Sequence, residues 1–465
     1  MSEKENLREK LFYAPKNAYK TIDEQTRKAV FKFGEGYKAF LDKSKTERDC
    51  VLATAELAEA HGFVPYSRGM ALKAGDRVYT VNRNKSILLA VVGKKPMTEG
   101  AHILAAHIDS PRLDLKPMPI SEEKSELVYF KTHYYGGIKK YQWTAIPLEL
   151  RGVVALANGG VVNVSIGADP GDPIFTITDL LPHLAAKQMT QSLSEGVTGE
   201  NLRVLIGSIP DAEEEGADCA KLAILKLLNE KYGIVEQDFL SAELCIVPNF
   251  PTRDVGLDRS LIGGYGHDDR CCAYPALNAL LDLPTPEKTA VCILADKEEI
   301  GSVGATGMQS EFFDTFISDL CGGDCFMRRC YENSACLSAD VTNAYDPIYA
   351  EVSDPQNSSY ANYGVCFMKY TGARGKSGSN DAEAEFVGRV RGILNENNVI
   401  WQMAELGRVD AGGGGTVAGY MSKRNISTID IGVPVLSMHA PFEVISKLDL
   451  YMALRAMRAF CAAAE

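Results

Sequence analysis

Several apolar runs in this sequence stop at histidine or carboxylate side chains, the donor types that hold divalent cations. AHILAAHI (101–108) brings in His107 and Asp109, AVCILAD (290–296) leads to Glu298 and Glu299, and ACLSADV (335–341) contains Asp340. STIDIGVPVLSMHAP (427–441) carries His439 near its end, and His267-Asp268-Asp269 precede a helical pattern. Taken singly, each is ordinary. Adjacent glutamates are usually a solvated pair, paired aspartates often cap a helix, and a strand-end histidine is commonly satisfied by its neighbours. Their shared position at the ends of strand-like runs suggests chemistry. Sites in open α/β sheets form outside the carboxyl ends of the strands.

Two cations about 3.5–4 Å apart polarise a carbonyl and activate water for hydrolysis. A carboxylate can bridge such a pair, and another must take the water's proton and deliver it to the leaving amine. The Glu298–Glu299 pair offers one carboxylate to ligate and one to act as base. Asp109, two residues from His107, is placed to hold its imidazole.

These groups need elements to position them. Segments 21–45 and 46–61 carry apolar residues at three- and four-residue spacing and predict helices. Residues 75–93 read as a hairpin turning at Asn82–Lys85. The strand-like runs then alternate with helical stretches at 270–282, 381–397 and 449–464. That alternation predicts an α/β fold with a central, largely parallel sheet covered by helices. Short β-like runs and turns dominate 117–246. The expected organisation is a catalytic domain in two parts, 1–116 and 247–465, interrupted by a β-rich domain at 117–246.

The 465 residues suffice for two or three domains, and 46% hydrophobic with 24% charged residues is ordinary for a globular chain. A net charge of −12 argues against nucleic acid and anionic membranes as partners. The first twenty residues are charged throughout, unlike a secretory leader, and no long apolar run marks a membrane span. A cytoplasmic protein is expected. Twelve cysteines are too sparse for a disulfide scaffold. Cys321, Cys325, Cys330 and Cys336 lack the paired spacing of a zinc ribbon and are expected to be reduced thiols in a loop and strand. Gly301, Gly304 and Gly307 lack the spacing of a nucleotide loop, and no GxSxG elbow surrounds a serine.

AAHIDSPRLDLKP (105–117), DKEEIGSVGATG (296–307), SADVTNAYDP (338–347) and VLSMHAPFE (435–443) resemble the M18 metallopeptidases, the aspartyl-aminopeptidase-like group. NRN at 82–84 and YYGG at 134–137 are also similar to that family, and the resemblance runs along nearly the whole chain. It implies a fold of the zinc-exopeptidase type, mixed and largely parallel in its sheet, with an inserted β-rich dimerisation domain. It implies two divalent ions per subunit, expected to be zinc, with manganese and cobalt served by the same ligands. His107 and His439 would each bind one ion, Asp268 would bridge, and Glu299 and Asp340 would complete the shells. Glu298 would be the general base and Asp109 the partner of His107. Dimers assembling into a tetrahedral dodecamer are implied as well.

The chain departs from that pattern in two places. Many members have a histidine soon after YGG, where this chain has Tyr141, and HDDRCCA differs from the family's Leu-Asp-Asn type. Asp268 is favoured over Asp269 as the bridge. Of the other histidines, His61, His102, His133 and His267 are expected in core or surface roles. His183 is a candidate additional ligand, although a structural or interface role is preferred for it. Preference for acidic first residues would require a cation, and Arg374 and Lys376 in a Gly/Ser-rich loop are the candidates.

The expected function is therefore a metal-dependent aminopeptidase acting on peptides. The residues leave open a binuclear deacylase or carboxypeptidase, and a catalytically silent homologue of the fold.

Overall fold

The computed structural model describes residues 7, 10–372 and 374–464. A short 3-10 helix, Ala18–Lys20, leads into two α-helices, Glu24–Lys43 and Glu47–Ala60. Each starts on a side-chain cap: Asp23 accepts from the backbone N–H of Thr26, and Thr46 from that of Asp49. The hairpin follows as Arg77–Asn82 paired with Ser86–Val91.

Four parallel strands form the middle of a nine-stranded sheet. They are β1 (Ala101–His107), β2 (Thr289–Ala295), β3 (Ala335–Ala339) and β4 (Ser427–Gly432), in the spatial order β2-β1-β3-β4. Antiparallel neighbours flank this block on both sides, so the sheet is mixed with a parallel centre. Every residue of β1, β2 and β3 is buried. That explains their uninterrupted apolar runs, since both faces of the sheet are covered. On one face Leu104, Ala106 and Leu337 pack with Leu277 and Phe460 of helices α1 (His267–Leu281) and α2 (Lys447–Ala462). On the other, Ile103, Ala105 and Ile293 pack with Phe313 and Phe316 of Phe312–Cys321. β2 lies on one side of β1 while β3 and β4 lie on the other, so the winding reverses at β1. Such a reversal opens a crevice at the strand ends.

Residues Arg112 to Pro248 hold a six-stranded antiparallel sheet with its own core of Phe130, Trp143, Leu150 and Ile246. Its strand Arg112–Glu122 pairs with Val128–Tyr135 on both sides of a register shift between Leu115 and Ile120. The fold is α/β, with a β-rich unit inserted after β1.

The run at 427–441 was expected to be one strand and is divided. β4 ends at Gly432, where an added Cβ would lie 2.0 Å from the carbonyl oxygen of Asp340. Pro434–Leu436 then joins a separate five-stranded sheet. That small sheet orders Arg253–Val255, Leu261–Gly264, Glu443–Ser446, Pro434–Leu436 and Thr342–Asn343. Cys321, Cys325 and Cys330 lie on helices rather than in a loop, and all twelve cysteines are free.

Candidate metal centre and cleft

β1, β2 and β3 deliver His107, the Glu298–Glu299 turn and Asp340 to one edge of the main sheet. The small sheet delivers the rest. Asp268 follows Leu261–Gly264, His439 lies between Pro434–Leu436 and Glu443–Ser446, and Asp340 stands just before Thr342–Asn343. Lys297 and His439 have φ of +72° and +63°, left-handed values that turn the chain sharply beside the cluster.

Asp268 sits between the two imidazoles. Its Oδ1 is 3.2 Å from His107 Nε2 and its Oδ2 is 3.1 Å from His439 Nε2. Asp340 Oδ1 lies 3.7 Å from His107 Nε2, and Glu299 Oε2 lies 3.6 Å from His439 Nε2. The other ring nitrogens face carbonyl oxygens. His107 Nδ1 is 3.1 Å from the carbonyl of Asp109, and His439 Nδ1 is 2.7 Å from that of Gly137. A carbonyl only accepts, so each Nδ1 carries an N–H, which leaves each Nε2 as the ring atom beside the carboxylate oxygens.

Asp109, fully buried, does more than hold His107. Its Oδ1 accepts from the backbone N–H of Glu298 at 3.1 Å, and its Oδ2 from that of Glu299 at 3.2 Å. Tyr135 donates its hydroxyl to Oδ2 at 2.7 Å. Burial works most strongly against its charge, but His107, the Tyr135 hydrogen bond and Arg112 together outweigh it and keep the carboxyl below its ordinary range. Burial lifts Glu298 to about 8, helped by Asp340 and Asp109 against the pull of His107. Burial opposes the His439 imidazolium, yet Asp268 and Glu299 raise it to about 10. Asp269 accepts from the backbone N–H of His107 at 3.4 Å, and a donor atom of it lies within 4.8 Å of those of Asp268 and Asp340.

The donor set fits divalent cations. Asp268 Oδ1 and Glu299 Oε1 are buried without a hydrogen-bond partner, the former because its contact with His107 lacks hydrogen-bond geometry. Donor atoms of His107, Asp268 and Glu299, and of His107, Glu298 and Asp340, lie within 4.8 Å of one another. Lone pairs facing lone pairs at such distances require protons or cations between them.

A cleft of about 980 Å³ opens on this cluster. Glu298 and His439 line one side; Met368, Leu406 and Met438 are on its walls, with the glycine run at 413–415. Arg374 and Lys376 are not brought to it. They line a neighbouring cavity of about 250 Å³, and Lys376 is held by Asp381 at 3.0 Å and over the Tyr370 ring. Lys423 is the basic side chain that lines the main cleft, besides His439, among the described residues. Tyr141 is exposed in a short 3-10 helix, and His183 is exposed on the β-rich unit, outside the cluster. His102 and His267 are buried, with His267 Nδ1 2.7 Å from the Tyr37 hydroxyl. His61 and His133 are exposed.

Sequence reasoning missed Glu443, Tyr135 and the Gly137 carbonyl. Glu443 accepts from the backbone N–H groups of Asp268 and His439. Its signal lay in VLSMHAPFE, four residues beyond the histidine.

An α/β sheet with a switch-point crevice holding two histidines and four carboxylates defines a metallohydrolase architecture. The profile of the family described as Aminopeptidase I zinc metalloprotease (M18) matches residues 40–461, and the chain belongs to that family. It is thereby a metal-dependent aminopeptidase, a hydrolase. A probable M18 family aminopeptidase 1 of Clostridium acetobutylicum is 47% identical over 454 residues, covering 96% of this chain and 97% of its own. The crystal structure of an M18 family aminopeptidase from Thermotoga maritima superimposes with a TM-score of 0.93 at 44% identity, over 97% of this chain and 99% of the other. More distantly, the mApe1 dodecamer of S. cerevisiae shares the fold with a TM-score of 0.74 at 19% identity, over 92% of this chain and 96% of the other.

Proposed function

We propose that the chain releases the N-terminal residue of peptides with two divalent ions, zinc in the first instance. His107 and Asp340 would hold one ion, His439 and Glu299 the other, and Asp268 would lie between them. The observation that supports this is the placement of the two Nε2 atoms beside opposite oxygens of Asp268, at 3.2 and 3.1 Å. When bound, the ions supply Lewis acidity toward the scissile carbonyl and lower the pKa of water. Glu298 takes the water's proton and returns it to the leaving amine. Asp109 keeps Glu298 in place through its backbone N–H.

The cleft favours uncharged first side chains over acidic ones. Met368, Leu406 and Met438 line it, whereas Arg374 and Lys376 are directed to another cavity. Hydrolysis of free-amine Leu, Met, Ala, Lys, Asp and Glu substrates, with chelator and with added zinc, manganese or cobalt, tests both points. Chelator-sensitive release fastest for Leu or Met is expected. Fastest release of Asp or Glu would overturn the side-chain preference. Equal cleavage of N-acetylated peptides would move the reading to a deacylase, and no release from metal-loaded protein would leave a silent homologue.

A homo-oligomer is part of the same reading, with the β-rich unit, 117–246 in its expected bounds, at the contacts. Leu184, Met189, Leu193 and Ile209 on that unit expose apolar side chains. A mass near twelve chains of 50.6 kDa in light scattering would support a dodecamer; a 50.6 kDa species would oppose it. No helix of the described residues is long and apolar enough to cross a membrane. Twelve free cysteines fit a reducing, cytoplasmic setting.

A further inference from the structure

Two buried carboxylates frame the cluster in the same manner. Asp109 accepts one backbone N–H on each oxygen, from Glu298 and Glu299. Glu443 does the same across a much longer stretch of chain. Its Oε2 accepts from the N–H of Asp268 at 3.1 Å and its Oε1 from the N–H of His439 at 2.8 Å. Glu443 is 1% exposed, and its two oxygens are engaged with backbone rather than turned into the cluster.

The small sheet explains why one side chain can reach both. Glu443 pairs in register with Gly264, four residues before Asp268, and itself stands four residues after His439. The strand Leu261–Gly264 leads into α1, and the turn carrying His439 leads into Glu443–Ser446. The turn and the start of α1 are separate pieces of chain with no side-chain cap at that helix start. Glu443 is the side chain that joins them.

We infer that Glu443 is a positioning residue: its carboxylate straps the backbones of Asp268 and His439 together and so sets the separation between the bridging carboxylate and one imidazole. Replacing it by Gln keeps one acceptor and turns an N–H₂ toward a backbone N–H that can only donate. Replacing it by Asp keeps the charge but withdraws the carboxylate by one methylene, so that one of the two N–H groups is served. Partners of this kind carry roughly 10–100-fold in metal affinity or activity.

The test reads zinc binding to metal-free protein by calorimetric titration, with metal content after dialysis, in wild type, E443Q and E443D. Asp449 supplies the control, because it too straps two backbone N–H groups, of Asn362 and Gly364 at 2.7 Å each, away from the cluster. E443Q is expected to lose roughly 10–100-fold in affinity for at least one ion, with native circular dichroism and a fall in kcat larger than any change in KM. E443D is expected to fall between. D449N is expected to lower Tm while leaving zinc affinity unchanged. Zinc binding by E443Q within twofold of wild type would overturn the inference, as would an equal loss in D449N; should E443Q not fold, wild-type affinity in E443D would do so. The inference rests on the two-ion reading, and the two fail differently. Two ions bound without peptidase activity would sink that reading alone, and unchanged zinc affinity in E443Q would sink this one alone.

Discussion

The Nδ1 of His439 lies 2.7 Å from the carbonyl oxygen of Gly137, so the first glycine pair of the β-rich unit fixes the tautomer of a histidine 302 residues later. The preceding Gly136 has φ of +73°, and a Cβ there would lie 3.2 Å from Glu299 Oε2 and 3.4 Å from the Pro111 ring. A non-glycine residue at such φ costs about 1–2 kcal/mol before any contact is counted. Gly136→Ala is expected to shift the Gly137 carbonyl and the Glu299 carboxylate together. The expected result is at least roughly tenfold weaker zinc binding with a native fold, read by titration and circular dichroism. Wild-type zinc affinity would show that the YYGG turn does not brace the centre.

Glu298 reaches the cleft without a side-chain hydrogen bond to protein among the described residues, and Asp109 fixes its backbone. That suits a group that must gain and lose a proton while its neighbours stay still. Glu298→Gln is nearly isosteric and cannot accept a proton at the amide. Turnover is expected to fall by about 10²–10⁴, with both ions retained. Metal analysis alongside steady-state kinetics checks it. Activity within tenfold of wild type would remove Glu298 as the base, and loss of an ion would make it a ligand.

The central strands were legible because burial on both faces leaves an unmistakable apolar run, as in AHILAAHI and AVCILAD. The side chains at their ends were legible for the same reason: a buried strand that stops at His or Asp must place that group somewhere. Asp268 was harder, since no central strand precedes it; Gly264 and the small sheet bring it in, and the apolar pattern of four residues there carries no period. Glu443 stood in the VLSMHAPFE run, but its role was not legible because its work is done through backbone N–H groups, which have no letter in a sequence. The surroundings of Arg374 and Lys376 were unread for a related reason. A basic loop advertises charge, but not that Asp381 and Tyr370 already hold its lysine.

The metal-free protein should lose stability as pH rises. Burial lifts Glu298 to about 8, and burial with the charge of Asp268 lifts Glu443 to about 8. Burial and Glu47 lift Asp296 to about 6. A carboxyl whose folded value lies above its unfolded value of about 4 stabilises fully below that unfolded value. That contribution is lost as pH climbs through the folded values, here from about 5 to about 8. Bound cations favour the ionised forms and remove the penalty. Calorimetry with chelator and with zinc, from about pH 5.5 to 8.5, should show the chelated Tm falling faster. The gap should widen toward the alkaline end. A constant gap, or a chelated Tm that rises with pH, would contradict this account of the cluster.

Lys376 is spent locally: its ammonium lies 3.0 Å from Asp381 and 3.8 Å from the centre of the Tyr370 ring. Arg374 shares its cavity, which has Thr371 and Leu406 in common with the main cleft among the described residues. On the proposed preference for uncharged first side chains, neither one pairs with an acidic first side chain. Arg374→Ala and Lys376→Ala are expected to leave kcat/KM for Leu and Asp substrates within about twofold of wild type, and their ratio unchanged. The Lys376 change removes an exposed ion pair worth about 0–1 kcal/mol, so Tm should move little. Parallel kinetics on the two substrates separates the cases. A tenfold loss for Asp with Leu untouched would return the acid-binding role to this loop, whereas equal losses for both would mean that the loop shapes the cleft wall through Thr371 and Leu406.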